Sequence, residues 1–314
     1  MTPHHKTDTL AAERLLEPAL RCARGHTPAN VALAQMFMAA SCADDASRAL
    51  DAAISHFRSD LHERGEGLKR LNRMRELWDA TPGAFASVKA VMHTLDHPKA
   101  CDPRPAPETW GTIFDCAVGV SRDASVALYC LGRADLLRAA TGEILQLMRS
   151  WNLLTPGACV LDVGCGSGRI IEAVAPHVRA AIGVDVSIAM LQAARERCAD
   201  CANTLFVRTT GHDLSAFHEA SLDLVCAVDV FPYFVMSGLA QHHIGEAARV
   251  LRREGHLLIL NFSYDNDPAA NKSELRHLAR NAGLNMRYSA TQEFSFWDGT
   301  CFLLQKPREQ ERSI

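Results

Sequence analysis

An apolar run that opens into a glycine-rich loop is the feature that most constrains how this chain can fold. The run and the loop read Val160-Leu161-Asp162-Val163-Gly164-Cys165-Gly166-Ser167-Gly168-Arg169. Because glycine tolerates positive φ and leaves backbone N–H groups bare, such a loop between a strand and a helix predicts a ligand site built from backbone. The dinucleotide fingerprint G-x-G-x-x-G would require glycine at the position of Arg169, so the observed G-x-G-x-G spacing disfavours a pyrophosphate ligand.

A second short strand, Ala180 to Val184, ends in an acid. Asp185 follows this strand directly and lies seventeen residues after Gly168. A carboxylate at that distance from a glycine loop can accept hydrogen bonds from both hydroxyls of a ribose. The loop and the acid together therefore predict a site for a nucleoside-bearing cofactor, and the pair is more specific than either motif alone.

These two motifs resemble the first and second motifs of the class I S-adenosylmethionine-dependent methyltransferases. Later segments resemble that family in the same order: a third strand at 204–207, a loop at 211–214, a buried strand at 222–229, a helix, a turn at Gly255 and a strand between 245 and 262, a last helix at 272–282, and closing strands at 285–288 and 301–305. The resemblance implies a doubly wound α/β fold with a seven-stranded, mostly parallel sheet. It also implies S-adenosylmethionine as the cofactor.

The resemblance further implies which residues hold that cofactor. Asp185 is expected to bind the ribose, and Asp213 is expected to reach the adenine amine. Asp162 is expected either to hold N–H groups of the loop or to reach the methionine amine. The full expected set is Asp162, Gly164, Cys165, Gly166, Gly168, Asp185, Val186, Ser187, His212, Asp213, Leu214 and Asp229.

Catalytic residues are less constrained, because methyl transfer is an in-line displacement in which positioning supplies much of the rate and only some acceptors need a base. The candidates are Tyr233, just after the fourth strand, Tyr129, and His242, which can act as a base near neutral pH. In related enzymes the segment before the first helix of the domain forms a lid, which would place Phe114 or Tyr129 near the methionine end of the cofactor. Packing is the alternative for both tyrosines, and a surface position is the alternative for His242.

A weak resemblance to another methyltransferase motif, at residues 229–233, does not support the activity of that motif. The segment Asp229-Val230-Phe231-Pro232-Tyr233 faintly resembles the D-P-P-Y sequence of enzymes that methylate amino groups of nucleic-acid bases. Val230 and Phe231 separate the acid from the proline, however, so the match fails and that activity is not predicted.

The chain is predicted to have an α-helical part before the α/β part. Apolar residues recur at helical spacing before residue 96, whereas prolines crowd the segment from His97 to Trp110 and predict a linker or a crossing loop. We therefore expect a helical domain at 1–96, a linker and lid at 97–133, and the cofactor-binding domain at 134–308. The helical domain would cap the substrate side or form a homodimer. Trp297-Asp298-Gly299 predicts a tight turn between the last two strands.

Charge and cysteine usage narrow the function classes. The formal net charge is −3, which gives no global attraction to nucleic acid. No apolar run approaches the ~20 residues needed to cross a bilayer, and the first residues lack a signal peptide, so we expect a cytoplasmic protein without a membrane partner. Cys198 and Cys201 have the spacing of a zinc ligand pair but no second pair accompanies them. Reduced packing thiols and no metal are predicted, with a zinc site as the alternative.

These observations predict transfer of a methyl group from S-adenosylmethionine to a small-molecule acceptor, with nitrogen or oxygen as the favoured nucleophile. Two alternatives remain open. One is another reaction of the same cofactor, either aminocarboxypropyl transfer or cyclisation of its own side chain, and both release methylthioadenosine. The other is a binding protein that keeps the fold without catalysis.

Overall fold

The computed structural model describes residues 14–59, 65–94, 105–265, 267–290 and 293–308. Residues 1–13 and 95–104, which include the first part of the predicted helical domain and the first part of the predicted linker and lid, lie outside the described residues. The first helix, α1, spans residues 14–23. The others are α2 Ala29–Ala39, α3 Ala43–Ser59, α4 Glu66–Asp79, α5 Ala84–Thr94, α6 Pro107–Val120, α7 Ala134–Ser150, α8 Arg169–Val174, α9 Ile188–Arg197, α10 Phe231–Met236, α11 Ala240–Val250 and α12 Pro268–Asn281. None of these helices is long and apolar enough to cross a membrane over the residues that the structure describes.

The strands form one mixed sheet. They are β1 Cys159–Val163, β2 Ala180–Asp185, β3 Thr204–Arg208, β4 Leu222–Val228, β5 Leu251–Leu260, β6 Asn285–Ala290 and β7 Cys301–Gln305. The sheet has seven strands in the order β3-β2-β1-β4-β5-β7-β6. The first five are parallel, whereas β7 is antiparallel to both β5 and β6. The predicted doubly wound α/β fold is confirmed.

The order of the strands locates the site. β1 is buried along its whole length, as expected of a central parallel strand with helices on both faces. It lies between β2 and β4, and the order of the chain through the sheet reverses between β1 and β4. In open α/β sheets, ligands bind beyond the carboxyl ends of the strands at this reversal. The glycine loop follows β1 and Asp229 follows β4, so both lie at the expected edge.

The chain divides into two compact units. Of the described residues, the helical unit contains 14–59, 65–94, 120–140 and 294–298, and the sheet unit contains 105–119, 141–265, 267–290, 293 and 299–308. These limits differ from the consecutive segments 1–96, 97–133 and 134–308 expected from the sequence, because each unit is assembled from separated stretches of chain. Helix α6, within the predicted linker and lid, belongs to the sheet unit except for its last residue, Val120.

The helical unit has its own aromatic core. The ring of Phe37 on α2 meets Trp78 on α4 edge to face at 4.8 Å, and it meets Phe85 on α5 at 5.4 Å. The buried side chain of Asn30 donates its Nδ2 hydrogens to the carbonyl oxygens of Tyr129, at 3.0 Å, and Phe296, at 2.8 Å. This amide therefore ties two distant stretches of the chain into the unit.

The predicted tight turn at Trp297-Asp298-Gly299 is wrong. Residues 291–300 separate β6 from β7, and within this connection Trp297 is buried with its ring stacked on Tyr129 at 5.9 Å. The Oδ2 of Asp298 accepts a hydrogen bond from Nε2 of Gln35 at 3.1 Å. The Asp-Gly signal fails because long-range burial of a large aromatic ring outweighs the local turn preference.

Three element boundaries also differ from the predictions. Helix α6 begins at Pro107, where the sequence predicted a loop, because proline is tolerated in the first turn of a helix. Strand β5 begins at Leu251 and passes through Gly255, where a turn was predicted; the pairing with β4 shifts register near Leu222 to absorb the irregularity. Helix α12 begins at Pro268, earlier than the predicted Lys272, and Asp267 caps it.

Candidate active site

The loop that follows β1 has three glycines with left-handed backbones. Gly164, Gly166 and Gly168 have φ values of 69°, 51° and 79°, as their spacing predicts. The N–H groups of Gly164 and Cys165 donate to the carbonyl oxygen of Val184 at 2.8 and 3.0 Å. The loop is therefore fixed to β2 by backbone hydrogen bonds before helix α8 begins.

Asp185, at the end of β2, also holds this loop. Its Oδ2 accepts the N–H of Gly166 at 2.9 Å, and its Oδ1 accepts the N–H of Ser187 at 2.9 Å. Burial raises the pKa of the Asp185 carboxyl, although these N–H donors partly oppose the rise. Each carboxylate oxygen can accept a second hydrogen bond. The carboxylate can thus hold the loop and still accept ribose hydroxyls.

Asp162 has a different environment from Asp185. It lies inside β1, is 1% exposed, and accepts a hydrogen bond from the Cys226 thiol at 3.5 Å. Burial raises the pKa of Asp162 to about 7, although the Cys226 bond and the Arg169 charge act against the rise. Of the two expected roles, the hydrogen bond to a loop N–H belongs to Asp185 at Gly166. A contact with the methionine amine stays the prediction for Asp162, and a nearby cation would favour its charged form.

The side chain of Ser167 indicates whether the loop is suited to a polar ligand. Its side chain is 0% exposed, and Oγ has no hydrogen-bond partner. A buried hydroxyl without a partner costs free energy, so such groups in folded proteins usually have a bound partner. The left-handed glycines on either side of Ser167 and this unsatisfied hydroxyl fit a loop that receives a polar nucleoside cofactor.

Helix α6 is fixed to the end of β2 by a carboxylate that sequence reasoning missed. Oδ1 of Asp115 accepts hydrogen bonds from Oγ of Ser187 at 2.6 Å and from the N–H of Ala189 at 2.9 Å. Ser187 Oγ also accepts the N–H of Met190 and caps α9. Ser187, expected at the cofactor, is therefore engaged as a helix cap, and Asp115 shares in that cap. The sequence did not predict this role of Asp115, because the prolines before α6 indicated a loop in place of the start of the helix that carries it.

The loop after β3 carries the residues expected at the adenine. His212 pairs through Nε2 with Glu108 of α6 at 3.3 Å. Oδ1 of Asp213 accepts both the N–H and the Oγ hydrogen of Ser215, at 3.0 and 2.6 Å, and these bonds lower the pKa of Asp213. The N–H of Leu214 donates to Glu246 of α11 at 3.0 Å. The loop thus has a defined shape, and adenine binding by these residues stays a prediction.

The ends of β4 and β5 present a second polar group. Asp229 and Asn261 both have left-handed backbones, with φ of 60° and 63°. Nδ2 of Asn261 donates to Oδ1 of Asp229 at 2.9 Å, and Oδ1 of Asn261 accepts the N–H of Thr300 at 3.0 Å. The Oγ1 of Thr300 is buried and has no hydrogen-bond partner. The two strand ends therefore hold one carboxylate in a fixed orientation, and the cofactor contact expected of Asp229 stays a prediction.

Aromatic rings surround Tyr233 beside this carboxylate. The Tyr233 ring meets Trp110 at 4.8 Å and Phe114 at 5.4 Å, both from α6, and it meets Tyr264 at 6.0 Å. The Tyr264 hydroxyl donates to the Tyr233 hydroxyl at 3.3 Å. Burial, and secondarily the Asp229 charge, raises the pKa of the Tyr233 hydroxyl. Tyr233 is consequently a neutral phenol near pH 7 and can donate a hydrogen bond there.

Comparison with known proteins identifies the sheet unit. Residues 161–259 match the family model described as a methyltransferase domain. The chain carries a class I S-adenosylmethionine-dependent methyltransferase domain. This domain is 37% identical over 113 residues to the demethylmenaquinone methyltransferase of Tropheryma whipplei strain Twist, a match that covers 35% of this chain and 44% of that protein.

The methyltransferase domain is also similar to two methyltransferases named for other substrates. The ribosomal RNA small subunit methyltransferase C of Alcanivorax borkumensis is 34% identical over 116 residues, which are 37% of this chain and 34% of that protein. The crystal structure of magnesium protoporphyrin IX methyltransferase from Synechocystis PCC 6803 has bound S-adenosylmethionine; it matches with a TM-score of 0.43 and 19% identity over 55% of this chain and 80% of that one. The chain spans less than half the length of the curated relatives it matches.

The remaining catalytic candidates are Tyr129 and His242. Tyr129 belongs to the helical unit, where it is 8% exposed and its ring stacks on Trp297. His242 is exposed on α11. Catalytic roles for both residues stay predictions, whereas the neighbouring His243 is the buried member of the pair.

His243 gives the methyltransferase domain a testable dependence of stability on pH. It is 4% exposed, stacks on Phe234 at 3.6 Å, and its Nε2 bonds the carbonyl oxygen of Gly211 at 2.9 Å. Burial lowers the pKa of His243 from 6.5 to about 4. Between these two pKa values the unfolded chain therefore binds more protons at His243 than the folded chain does. The stability that neutral His243 contributes is complete above the pKa of the unfolded chain, and it is lost as the pH falls toward the pKa of the folded chain. Between about pH 7 and about pH 5 we expect this residue to remove about 2 kcal/mol of stability.

The measurement is urea unfolding of the wild type and of His243→Gln at both pH values. Glutamine can still donate to Gly211 but does not titrate, so the variant should lose less stability on acidification than the wild type. Asp162, with a raised pKa, has the opposite dependence in this range, and comparison of the two proteins removes its effect. His242→Gln on the exposed face is the matched control. Equal losses in His243→Gln and the wild type would contradict the prediction.

Proposed function

We propose that this protein transfers a methyl group from S-adenosylmethionine to a small-molecule acceptor with a nitrogen or oxygen nucleophile. The observation that carries the proposal is the arrangement at one edge of the sheet. The glycine loop and Asp185 follow β1 and β2, and the Asp229 carboxylate with its aromatic neighbours follows β4. A cofactor and an acceptor can therefore meet where the strand order reverses.

Each part of this edge has a distinct task in the proposed reaction. Asp185 accepts the ribose hydroxyls, the loop and Ser167 supply polar contacts, and Asp162 faces the methionine amine. Bound S-adenosylmethionine would supply an electrophilic methyl group for the acceptor's lone pair, and its sulfur would keep the electron pair of the broken C–S bond. The protein's main contribution is to align the acceptor with that methyl group and to exclude water, which together lower the barrier.

Tyr233 serves the acceptor side in this proposal. Its hydroxyl contacts that of Tyr264, and its ring lies under the aromatic residues of α6. Since burial and Asp229 raise the pKa of the Tyr233 hydroxyl, this group would orient an acceptor by donating a hydrogen bond and would not act as a phenolate base near pH 7. A homodimer through the helical unit and a cytoplasmic location remain predictions from the sequence.

Calorimetric titration with S-adenosylmethionine and S-adenosylhomocysteine tests the proposal, followed by mass analysis of products after incubation with a metabolite extract. We expect both ligands to bind, S-adenosylhomocysteine to form, and one metabolite to gain the mass of a methylene group. Formation of methylthioadenosine would indicate the alternative chemistry of the same cofactor. Failure of both ligands to bind would remove the basis of the proposal. Asp185→Ala, incubated in parallel, controls for methylation by contaminating enzymes.

A further inference from the structure

The Asp229 carboxylate is held by a backbone that is unfavourable for ordinary residues. Left-handed φ is unfavourable for most residues with a side chain, and such residues concentrate at functional sites. Here Asp229 and Asn261 adopt it at the ends of adjacent strands, and their side chains bond each other. The N–H of Asp229 donates to the carbonyl oxygen of Leu260 at 2.8 Å, and the N–H of Asn261 donates to the carbonyl oxygen of Thr300 at 2.8 Å. Two strained positions thus fix one carboxylate.

The rings beside this carboxylate form a surface that reaches solvent. Trp110 is 4% exposed and donates its indole N–H to Ser237 at 3.2 Å, which fixes the inner ring. Tyr233 stands edge to face against it, and Tyr264, 49% exposed, forms the outer wall. The negative faces of aromatic rings attract cations, and the attraction increases where water is excluded. A carboxylate next to such rings adds full electrostatic attraction for the same ligand.

We propose that the acceptor is an organic amine, which binds as its ammonium ion against Asp229 and the rings of Tyr233 and Tyr264. This inference rests on the proposed function and names the substrate class of that site. A neutral alcohol would gain little from the ring faces, and an anionic acceptor would be repelled by Asp229. The carboxylate can also take one ammonium proton onto an oxygen, which frees the nitrogen lone pair for attack on the methyl group.

Asn261 is the positioning residue in this arrangement. Because the Thr300 N–H occupies Oδ1 of Asn261, the amide must present its Nδ2 hydrogens to Asp229. The amide therefore holds the carboxylate by donation and adds no positive charge. An arginine or lysine in its place would cancel the attraction for an ammonium ion, whereas asparagine preserves it.

A pair of probes that differ only in charge tests this inference. Choline and dimethylbutanol, in which carbon replaces the choline nitrogen, are titrated calorimetrically into the full-length protein saturated with S-adenosylhomocysteine. We expect choline to bind about tenfold more tightly than dimethylbutanol in the wild type. In Asp229→Asn this preference should disappear, and because asparagine tolerates the left-handed backbone, the variant should fold.

The control variant is Asp265→Asn, which removes a charge from the exposed loop after β5 and should keep the preference for choline. Equal affinity for the two probes, or absence of choline binding, would overturn the inference. Retention of the preference in Asp229→Asn would overturn the role of this residue. Displacement of S-adenosylhomocysteine by choline would place the cation site in the cofactor pocket and would also overturn the inference. If S-adenosylhomocysteine itself does not bind, the proposed function fails instead.

Discussion

Replacement of Gly164 by alanine is expected to destabilise the methyltransferase domain by about 3 kcal/mol, from the left-handed backbone and overpacking together. A Cβ on Gly164 would lie 2.5 Å from Cγ2 and 2.8 Å from Cβ of Val230, and its φ is +69°. Such contacts are shorter than real Cβ atoms allow, so either the loop or the start of α10 must shift. Urea unfolding of the wild type and of Gly164→Ala measures the loss.

Two further variants show whether this mechanism is correct. A Cβ on Gly157, which precedes β1, would meet nothing within 4 Å, so Gly157→Ala should retain wild-type stability. Adding Val230→Ala to Gly164→Ala removes the atom at 2.5 Å but leaves the Cβ contact and the left-handed φ, so it should recover part of the loss. Wild-type stability of Gly164→Ala, or no recovery in the double variant, would refute the steric explanation.

Replacement of Asp185 by alanine is expected to weaken S-adenosylhomocysteine binding roughly 10- to 150-fold, which corresponds to about 1.5–3 kcal/mol for lost hydrogen bonds to a charged group. The variant removes an acceptor for the N–H groups of Gly166 and Ser187 as well as the proposed acceptor for ribose. Calorimetric titration gives the affinity.

A ligand comparison separates the ribose contact from the effect on the loop. The wild type should prefer S-adenosylhomocysteine over an analogue without ribose hydroxyls, and Asp185→Ala should bind both ligands equally. Asp223→Ala is the matched control, because Asp223 also accepts a backbone N–H, that of Cys159 at 2.8 Å, but near the amino end of β4. Its affinity should equal that of the wild type. An unchanged ligand preference in Asp185→Ala would refute the ribose assignment.

The elements that the sequence predicted well are those whose signal is local. Strands β1 and β4 are largely apolar because both of their faces are covered, with one aspartate in each, and the glycines after β1 have positive φ. The position of Asp185 follows from the length of one strand–helix–strand unit. In these elements the local conformational preference agrees with the global fold, so the sequence alone predicts them.

The features that the sequence did not predict depend on contacts between distant residues. Asp115 joins Ser187 across 72 positions of the chain, and no spacing rule connects them. The orientation of Asn261 depends on Thr300 in another strand connection. Trp297 is buried although an Asp-Gly pair follows it. In each case a tertiary contact determines the role of the residue, and the local pattern shows only that a polar or aromatic group is present.

The short segment 294–298 has a consequence for how the protein is made. It supplies Trp297 to stack on Tyr129 and the Phe296 carbonyl to accept from Asn30, yet it is synthesised after six of the seven strands. During translation Asn30 and Tyr129 in the helical unit stay incompletely covered until the segment after β6 has left the ribosome. The helical unit is encoded first, but it is completed among the last.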